Sequence, residues 1–382
     1  MFKLIKNARV YSPKDLGVLD ILICNDKIIE MGKDIKFDHK ELDTIDVCGK
    51  IIVPGLIDQH IHIVGGGGEG SFKTRVPEVF LSELTQSGIT TVIGLLGTDT
   101  TTRSVENLLA KTKALKEEGI NSYCLTGSYE YPSPTITGSV KKDITFIEEI
   151  LGVKLAISDH RSSLVTKDEL KKLISSVRVA GMFSGKSSYI KLHMGDGIEK
   201  FSIINEILEE TDLSIFHFRP THVGRKLELF KEAMIFAKKG GIIDITASDS
   251  SNAVPVKELF TLLKANDVPL NNVTLSSDGR GSWSIYDDMG KLIKIGYSAC
   301  DTVYKKIKTL VQEDVLTLEE ALSLGTKNVA LALGLKDRGI LSQGSFADLL
   351  ILDEDFNLES VLINGKIMIL DKKIVVKGTY EL

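Results

Sequence analysis

The chain has 382 residues, 43% hydrophobic and 26% charged, a globular profile with room for a sizeable core. A net charge of -5 argues against a general nucleic-acid binder, which is usually basic, and leaves open a local basic pocket for a small acidic substrate. MFKLIKNARV lacks the apolar stretch of a signal peptide, and no run of about 18 apolar residues predicts a membrane span, so the expectation is a cytoplasmic protein with no membrane and no nucleic-acid partner.

Residues 2–53 read as short strands. VLDILICNDKIIEMG and TIDVCGKIIVPG are apolar, β-branched and broken by Asn-Asp and Gly. The middle of the chain then alternates. Apolar runs occur at Ile51–Ile63, Thr90–Gly97, Ile120–Ser128, Val153–Asp159, Ser188–Gly195, Ser214–His222, Gly241–Ser248 and Val273–Gly279. Between most of them lie amphipathic, charged segments of helix length: Arg103–Glu118, Lys167–Phe183, Ile203–Glu210, Leu227–Lys239 and Val256–Asn266. Such alternation implies parallel strands with helical crossovers, and eight units over about 250 residues fit a (β/α)8 TIM-like barrel. An open doubly wound sheet would alternate in the same way; the count of eight favours closure.

Strand texture returns in DLLILDEDFNLESVLINGKIMILDKKIVVKG, with turns expected at Asn364-Gly365 and Asp371-Lys372. We therefore expect a small β-sandwich domain built by both termini, residues 1–52 and 341–382, around a barrel spanning 53–340. The four cysteines, Cys24, Cys48, Cys124 and Cys300, include no C-x-x-C pair and read as free thiols of a reducing compartment.

Polar residues gather where the apolar runs end: IDQHIH, LLGTD, LTGSYEY, ISDHR, KLHMGD, RPTHVGR and SSDGRGS. In a barrel these ends form one face, where active sites sit. His60 and His62 form H-x-H, and residues i and i+2 of a strand share a face, so two imidazoles can meet one metal. Alone the pair is weak support; at the end of the first barrel strand it gains weight. His193 and His222 each close an apolar run. Either by itself reads as a core histidine, but with H-x-H they offer four nitrogens on one face, a normal set for two zinc ions.

Lys154, in GVKLAISD, is either a lysine stem along apolar surface or a desolvated amine able to take up carbon dioxide as a carbamate. Asp278 is either an Asp-Gly turn or a carboxylate that ligates a metal and moves protons. Gly65–Glu69 is either a flexible loop or a nest of backbone N–H groups for a substrate carboxylate. Arg161 and Arg225 are either solvated or forks for a carboxylate. His160 and His217 rank below the four candidate ligands, as structural or supporting residues. 

Taken together, PGLIDQHIHIVGGGGEG, GLLGTDT, LTGSYEYPSPTITGSV, GVKLAISDHRS, HMGD, PTHVGR, KGGIIDIT and TLSSDGRGS resemble the isoaspartyl (β-aspartyl) dipeptidases of the amidohydrolase superfamily, over nearly the whole chain. PG-x-ID-x-H-x-H alone marks the superfamily; GGGGE with SDHRS and PTHVGR is more specific. The resemblance implies a zinc-dependent metallopeptidase with two metal ions. His60 and His62 would hold one metal, completed by Asp278, and His193 and His222 the other, with a carbamate on Lys154 bridging. It also implies that Glu69 takes the substrate α-amino group, that Gly67, Thr98 and Ser282 hold the aspartyl part, and that Arg161 and Arg225 hold the carboxylate of the leaving residue. Tyr129 would lie over the scissile carbonyl, which a metal-bridging hydroxide attacks while Asp278 carries the proton. The implied partners are a small dipeptide substrate and copies of the same chain, a homo-oligomer with an octamer among its forms. Arg280 stands where the resemblance leads one to expect a smaller polar residue. The alternatives are a cyclic-amide amidohydrolase of dihydropyrimidinase or dihydroorotase type, or a non-catalytic scaffold of the same fold.

Overall fold

The structure is a computed structural model and describes residues 1–248, 253–287, 289 and 291–382. Eight parallel strands pair in chain order: β1 (Leu56–Ile61), β2 (Ile89–Gly94), β3 (Asn121–Gly127), β4 (Ile150–Ile157), β5 (Tyr189–Met194), β6 (Phe218–Thr221), β7 (Ile243–Thr246) and β8 (Val273–Ser276). A parallel bridge from Ile61 to Gly279, just past β8, brings the last strand against the first. The result is a nearly closed (β/α)8 barrel. Every residue of β1, β2, β4, β5, β6 and β8 is buried. Strands covered on both faces have no solvent side, which is why the sequence shows continuous apolar runs there and not alternation. Asp58 ties the closure: one carboxylate oxygen accepts from the His60 amide and the other from the Ser277 amide, each at 3.1 Å.

The crossover helices begin and end on local chemistry. Ser104 caps Val105–Glu118 by accepting from the Asn107 amide, and Gly119, at φ 109°, ends it. Thr166 and Glu169 form a capping box at the start of Lys167–Ser184. The helices Val140–Phe146, Thr302–Gln312, Leu318–Gly325 and Lys327–Leu333, and the hairpin Ser282–Tyr286 with Leu292–Tyr297, were not read from the sequence. Lys327–Leu333 shows why: it is short and buries Asn328, Val329, Ala330, Ala332 and Leu333, so no 3.6-residue period develops.

The chain ends meet in one nine-stranded sheet, which fits a β-sandwich domain. Ile51–Pro54 runs parallel to Phe2–Ser12 and antiparallel to Leu349–Leu352. This sheet has its own core, including Ile5, Val10, Ile21, Ile28, Ile52, Leu349 and Leu362. Asn364 and Gly365 have φ of 49° and 71°, and Asp371 and Lys372 have 46° and 66°, the left-handed pair a two-residue hairpin turn requires. Because Ile51–Pro54 leads through Gly55 into β1, the terminal sheet anchors the strand that delivers the first histidines. All four cysteines are free thiols. Among the described residues no helix is long and apolar enough to cross a membrane.

Candidate active site

His60 is the penultimate residue of β1, on a buried stretch, and His62 follows on the same side, their ring centroids 5.6 Å apart. His222 follows β6, its ring 4.8 Å from that of His60 and 4.6 Å from that of His193 on β5. Asp278, two residues past β8, places Oδ1 3.3 Å from Nε2 of both His60 and His62. His222 and Asp278 have φ of 61° and 54°, a left-handed backbone uncommon for residues with side chains. Lys154 rises from β4, fully buried, with Nζ 3.2 Å from His60 Nε2. The six residues expected as ligands thus come together from five strands. The ligand atoms of His60, His222 and Asp278 lie within 4.8 Å of one another.

The electrostatics suit cations. Burial, and after it the neighbouring Lys154, holds His60 well below the ordinary histidine pKa. Burial does the same to His193 and His222, which leaves neutral rings with a lone pair each. Burial, followed by the charge of Lys191, drives Lys154 well below the ordinary lysine range, toward a free amine. His62 Nδ1 and Asp278 Oδ1 are buried without a hydrogen-bond partner. Neutral imidazoles and a carboxylate oxygen converging as acceptors fit a divalent metal ion.

His193 differs from the others because both its ring nitrogens are engaged. Nδ1 lies 2.7 Å from the Tyr129 hydroxyl, and Nε2 lies 2.9 Å from Asp159 Oδ2. Arg161 and Arg225 approach the same Nε2 at 3.3 and 3.4 Å. Coordination through either nitrogen exchanges one of these partners. Asp159 also forks Arg161, at 2.9 and 3.0 Å. Burial works against its charge, but the hydrogen bonds from His193 and Arg161 hold it far below the usual carboxylate range. Burial raises the Tyr129 phenol above its ordinary pKa, keeping it an O–H donor.

The glycine loop needs its glycines. Gly65 and Gly67 have φ of 77° and 81°, and a Cβ on them would lie 1.9 Å from the Val76 carbonyl oxygen and 2.4 Å from that of Thr74. Arg103 straps the loop, donating to the carbonyls of Val64, Gly66 and Val76 at 3.0, 3.0 and 3.1 Å while pairing with Asp99 at 2.8 Å. Glu69, at the end of the loop, accepts from Ser282 Oγ at 3.0 Å and lies 3.4 Å from Arg161 Nη1. Glu69, Gly67, Thr98, Tyr129, Arg161, Arg225 and Ser282 all line one cavity of about 420 Å³, together with His62, His193, His222 and Asp278.

His160 lies at the cavity rim with its side chain 71% exposed, and His217 contacts the Ser188 carbonyl at 3.1 Å, away from the cluster. Arg280 turns away from the cavity: its guanidinium forks Glu83 and lies over the Tyr297 ring, while its carbonyl receives the Gly66 amide at 2.9 Å. Three features escaped the sequence reading. Asp159 was visible as a carboxylate two residues before Arg161. Arg103 gave no local signal, since its partners are backbone carbonyls. The wall formed by Val254, Leu259, Trp283 and Ile285 comes from segments that only the fold joins.

The sequence profile of the amidohydrolase family matches residues 51–368. The chain belongs to the amidohydrolase family. This amidohydrolase is 40% identical to a β-aspartyl dipeptidase from Fervidobacterium islandicum AW-1, solved in complex with β-Asp-Leu dipeptide, with a TM-score of 0.93 over 98% of each chain. A 5'-deoxyadenosine deaminase of Methanobrevibacter smithii is 24% identical over 438 aligned positions, covering 99% of this chain and 95% of its own. A dihydropyrimidinase from Brevibacillus agri NCHU1002, at 16% identity, a TM-score of 0.69 and 99% and 97% coverage, is alike in fold alone. The amidohydrolase is a hydrolase of this fold.

Proposed function

We propose that this amidohydrolase is a metal-dependent isoaspartyl dipeptidase, cleaving the β-aspartyl amide bond of dipeptides. One observation carries the reading: Glu69 and the arginines Arg161 and Arg225 line the same cavity as the histidine cluster, so a short substrate meets opposite charges beside the reacting bond. A β-aspartyl dipeptide has a free α-ammonium and α-carboxylate on its aspartyl end and a second carboxylate on its leaving residue. The 40% identity to an enzyme solved with β-Asp-Leu supports the same reading.

His60, His62 and Asp278 would hold one divalent cation and His193 and His222 another, with a carbamate on Lys154 between them. When bound, such ions supply Lewis acidity and make water more acidic. The rest falls to the chain. Glu69 takes the ammonium, and Gly67, Thr98 and Ser282 help hold the aspartyl part. Arg161 and Arg225 take the leaving residue's carboxylate. The Tyr129 hydroxyl donates to the scissile carbonyl oxygen as that oxygen gains charge. Asp278 accepts the proton of the attacking water and delivers it to the departing amine nitrogen. Requiring charge at both substrate ends rejects longer peptides, which would leave these groups unpaired.

The test offers zinc-loaded enzyme three substrates in parallel: β-Asp-Leu, dihydrouracil and 5'-deoxyadenosine. We expect turnover of β-Asp-Leu alone, with kcat/KM of at least about 10⁴ M⁻¹s⁻¹. Turnover of the cyclic amide or the nucleoside, with β-Asp-Leu untouched, would replace this reading with that of a different amidohydrolase.

A further inference from the structure

Beneath the histidines, inside the barrel, Asp244 on β7 collects five donors. Its Oδ2 accepts from Lys191 Nζ at 2.8 Å, Thr221 Oγ1 at 2.8 Å and Ser276 Oγ at 2.7 Å. Its Oδ1 accepts from Gln59 Nε2 at 3.0 Å and Thr274 Oγ1 at 2.9 Å. All of these residues are buried, and the carboxylate is held from both sides. 

The Thr221 hydroxyl has one proton, and that proton is given to Asp244. Its oxygen therefore meets His60 Nδ1, 3.3 Å away, with a lone pair. Facing an acceptor, Nδ1 must carry the ring proton. A neutral imidazole has one N–H, so the lone pair lies on Nε2. Nε2 is the atom that faces Asp278 Oδ1 at 3.3 Å and Lys154 Nζ at 3.2 Å. The same carboxylate engages Lys191, the register partner of Lys154 on the adjacent strand, so one buried lysine turns to Asp244 while the other reaches His60.

We propose that Asp244, acting through the Thr221 hydroxyl, fixes the proton of His60 on Nδ1 and aims the Nε2 lone pair at the metal position. Asp244 and Thr221 are positioning residues that touch neither substrate nor metal. This inference rests on the reading of His60 as a metal ligand. Hydrogen-bonded partners of ligating histidines set the tautomer and the basicity of the ring, and their loss typically weakens metal binding by about 10- to 100-fold. Asp244 itself is a poor site for the test, because removing it strands the Lys191 ammonium in the barrel. Thr221→Val deletes the hydroxyl at nearly constant volume.

The experiment has two readouts. Nitrogen NMR of metal-free protein carrying ¹⁵N-histidine reports the His60 tautomer, and chelator competition reports zinc affinity. Wild type should show His60 protonated on Nδ1. Thr221→Val should lose that preference and bind zinc about 10- to 100-fold more weakly, and Thr221→Ser should restore both. An Nε2-protonated His60 in wild type overturns the inference, as does a Thr221→Val variant with wild-type zinc affinity. If Thr221→Val does not fold, the wild-type tautomer and the Thr221→Ser affinity decide: Nδ1–H with retained affinity upholds the chain, and the Nε2–H form overturns it. A wild-type protein that binds no zinc marks a different failure, that of the ligand reading itself.

Discussion

Lys154→Ala should lose at least about 100-fold in kcat/KM on β-Asp-Leu, the scale of losing one preorganised group of a transition state, and short carboxylates such as acetate should return part of it. Lys154 is fully buried on β4, and burial together with Lys191 favours its free amine. An amine nitrogen that attacks carbon dioxide and loses one proton becomes an anion with two oxygens, which no unmodified lysine can supply. The Lys154 nitrogen lies 3.2 Å from His60 Nε2, so a carbamate built on it would add its two oxygens beside the histidines, as a ligand that two cations could share. Alanine leaves a gap that a small carboxylate can enter. Labelled bicarbonate should give a carbamate carbon signal in wild type and none in the variant. Full activity of Lys154→Ala without added carboxylate would remove the bridge from the account.

Glu69→Gln should cripple β-Asp-Leu hydrolysis while leaving bound metal unchanged. Glu69 is the one acidic residue of the glycine loop, and its side chain is 12% exposed. Losing one partner of a desolvated charge pair costs about 2–5 kcal/mol, or roughly 30- to several-thousand-fold in the specificity constant. Glutamine keeps the shape and can still meet Ser282. Arg161 keeps its fork on Asp159, so the arginine side of the cavity should hold its place. Steady-state kinetics paired with metal counting separates the two contributions. If Glu69→Gln cleaves β-Asp-Leu as wild type does, the ammonium contact is wrong and the cyclic-amide alternative gains.

The four histidines and Asp278 were legible as candidate ligands because each sits toward the end of an apolar run, and a barrel gathers such ends on one face; Lys154 lies near the start of its run and had no such signal. His60 and His62 gave their spacing, His193 and His222 their positions, and the structure places all four rings in a row. The Lys154 carbamate and the Glu69 contact came from the family resemblance and not from periodicity. Other residues left no local trace. Arg103 works on backbone carbonyls up to 39 residues away, and Asp244 gathers side chains as far off as Gln59, 185 residues earlier. Arg280, conspicuous in SSDGRGS, spends its charge on Glu83 and contributes its carbonyl to the glycine loop. Contacts of this kind are set by the three-dimensional meeting of strand ends, and no spacing rule announces them.

The most direct measurement sets β-Asp-Leu and α-Asp-Leu side by side against one enzyme preparation whose bound metal has been counted. Protein carrying two metal ions per chain should cleave β-Asp-Leu and leave α-Asp-Leu intact, and stripping the metal should abolish the reaction. Equal cleavage of the two isomers, or full turnover by metal-free protein, would contradict the proposed function.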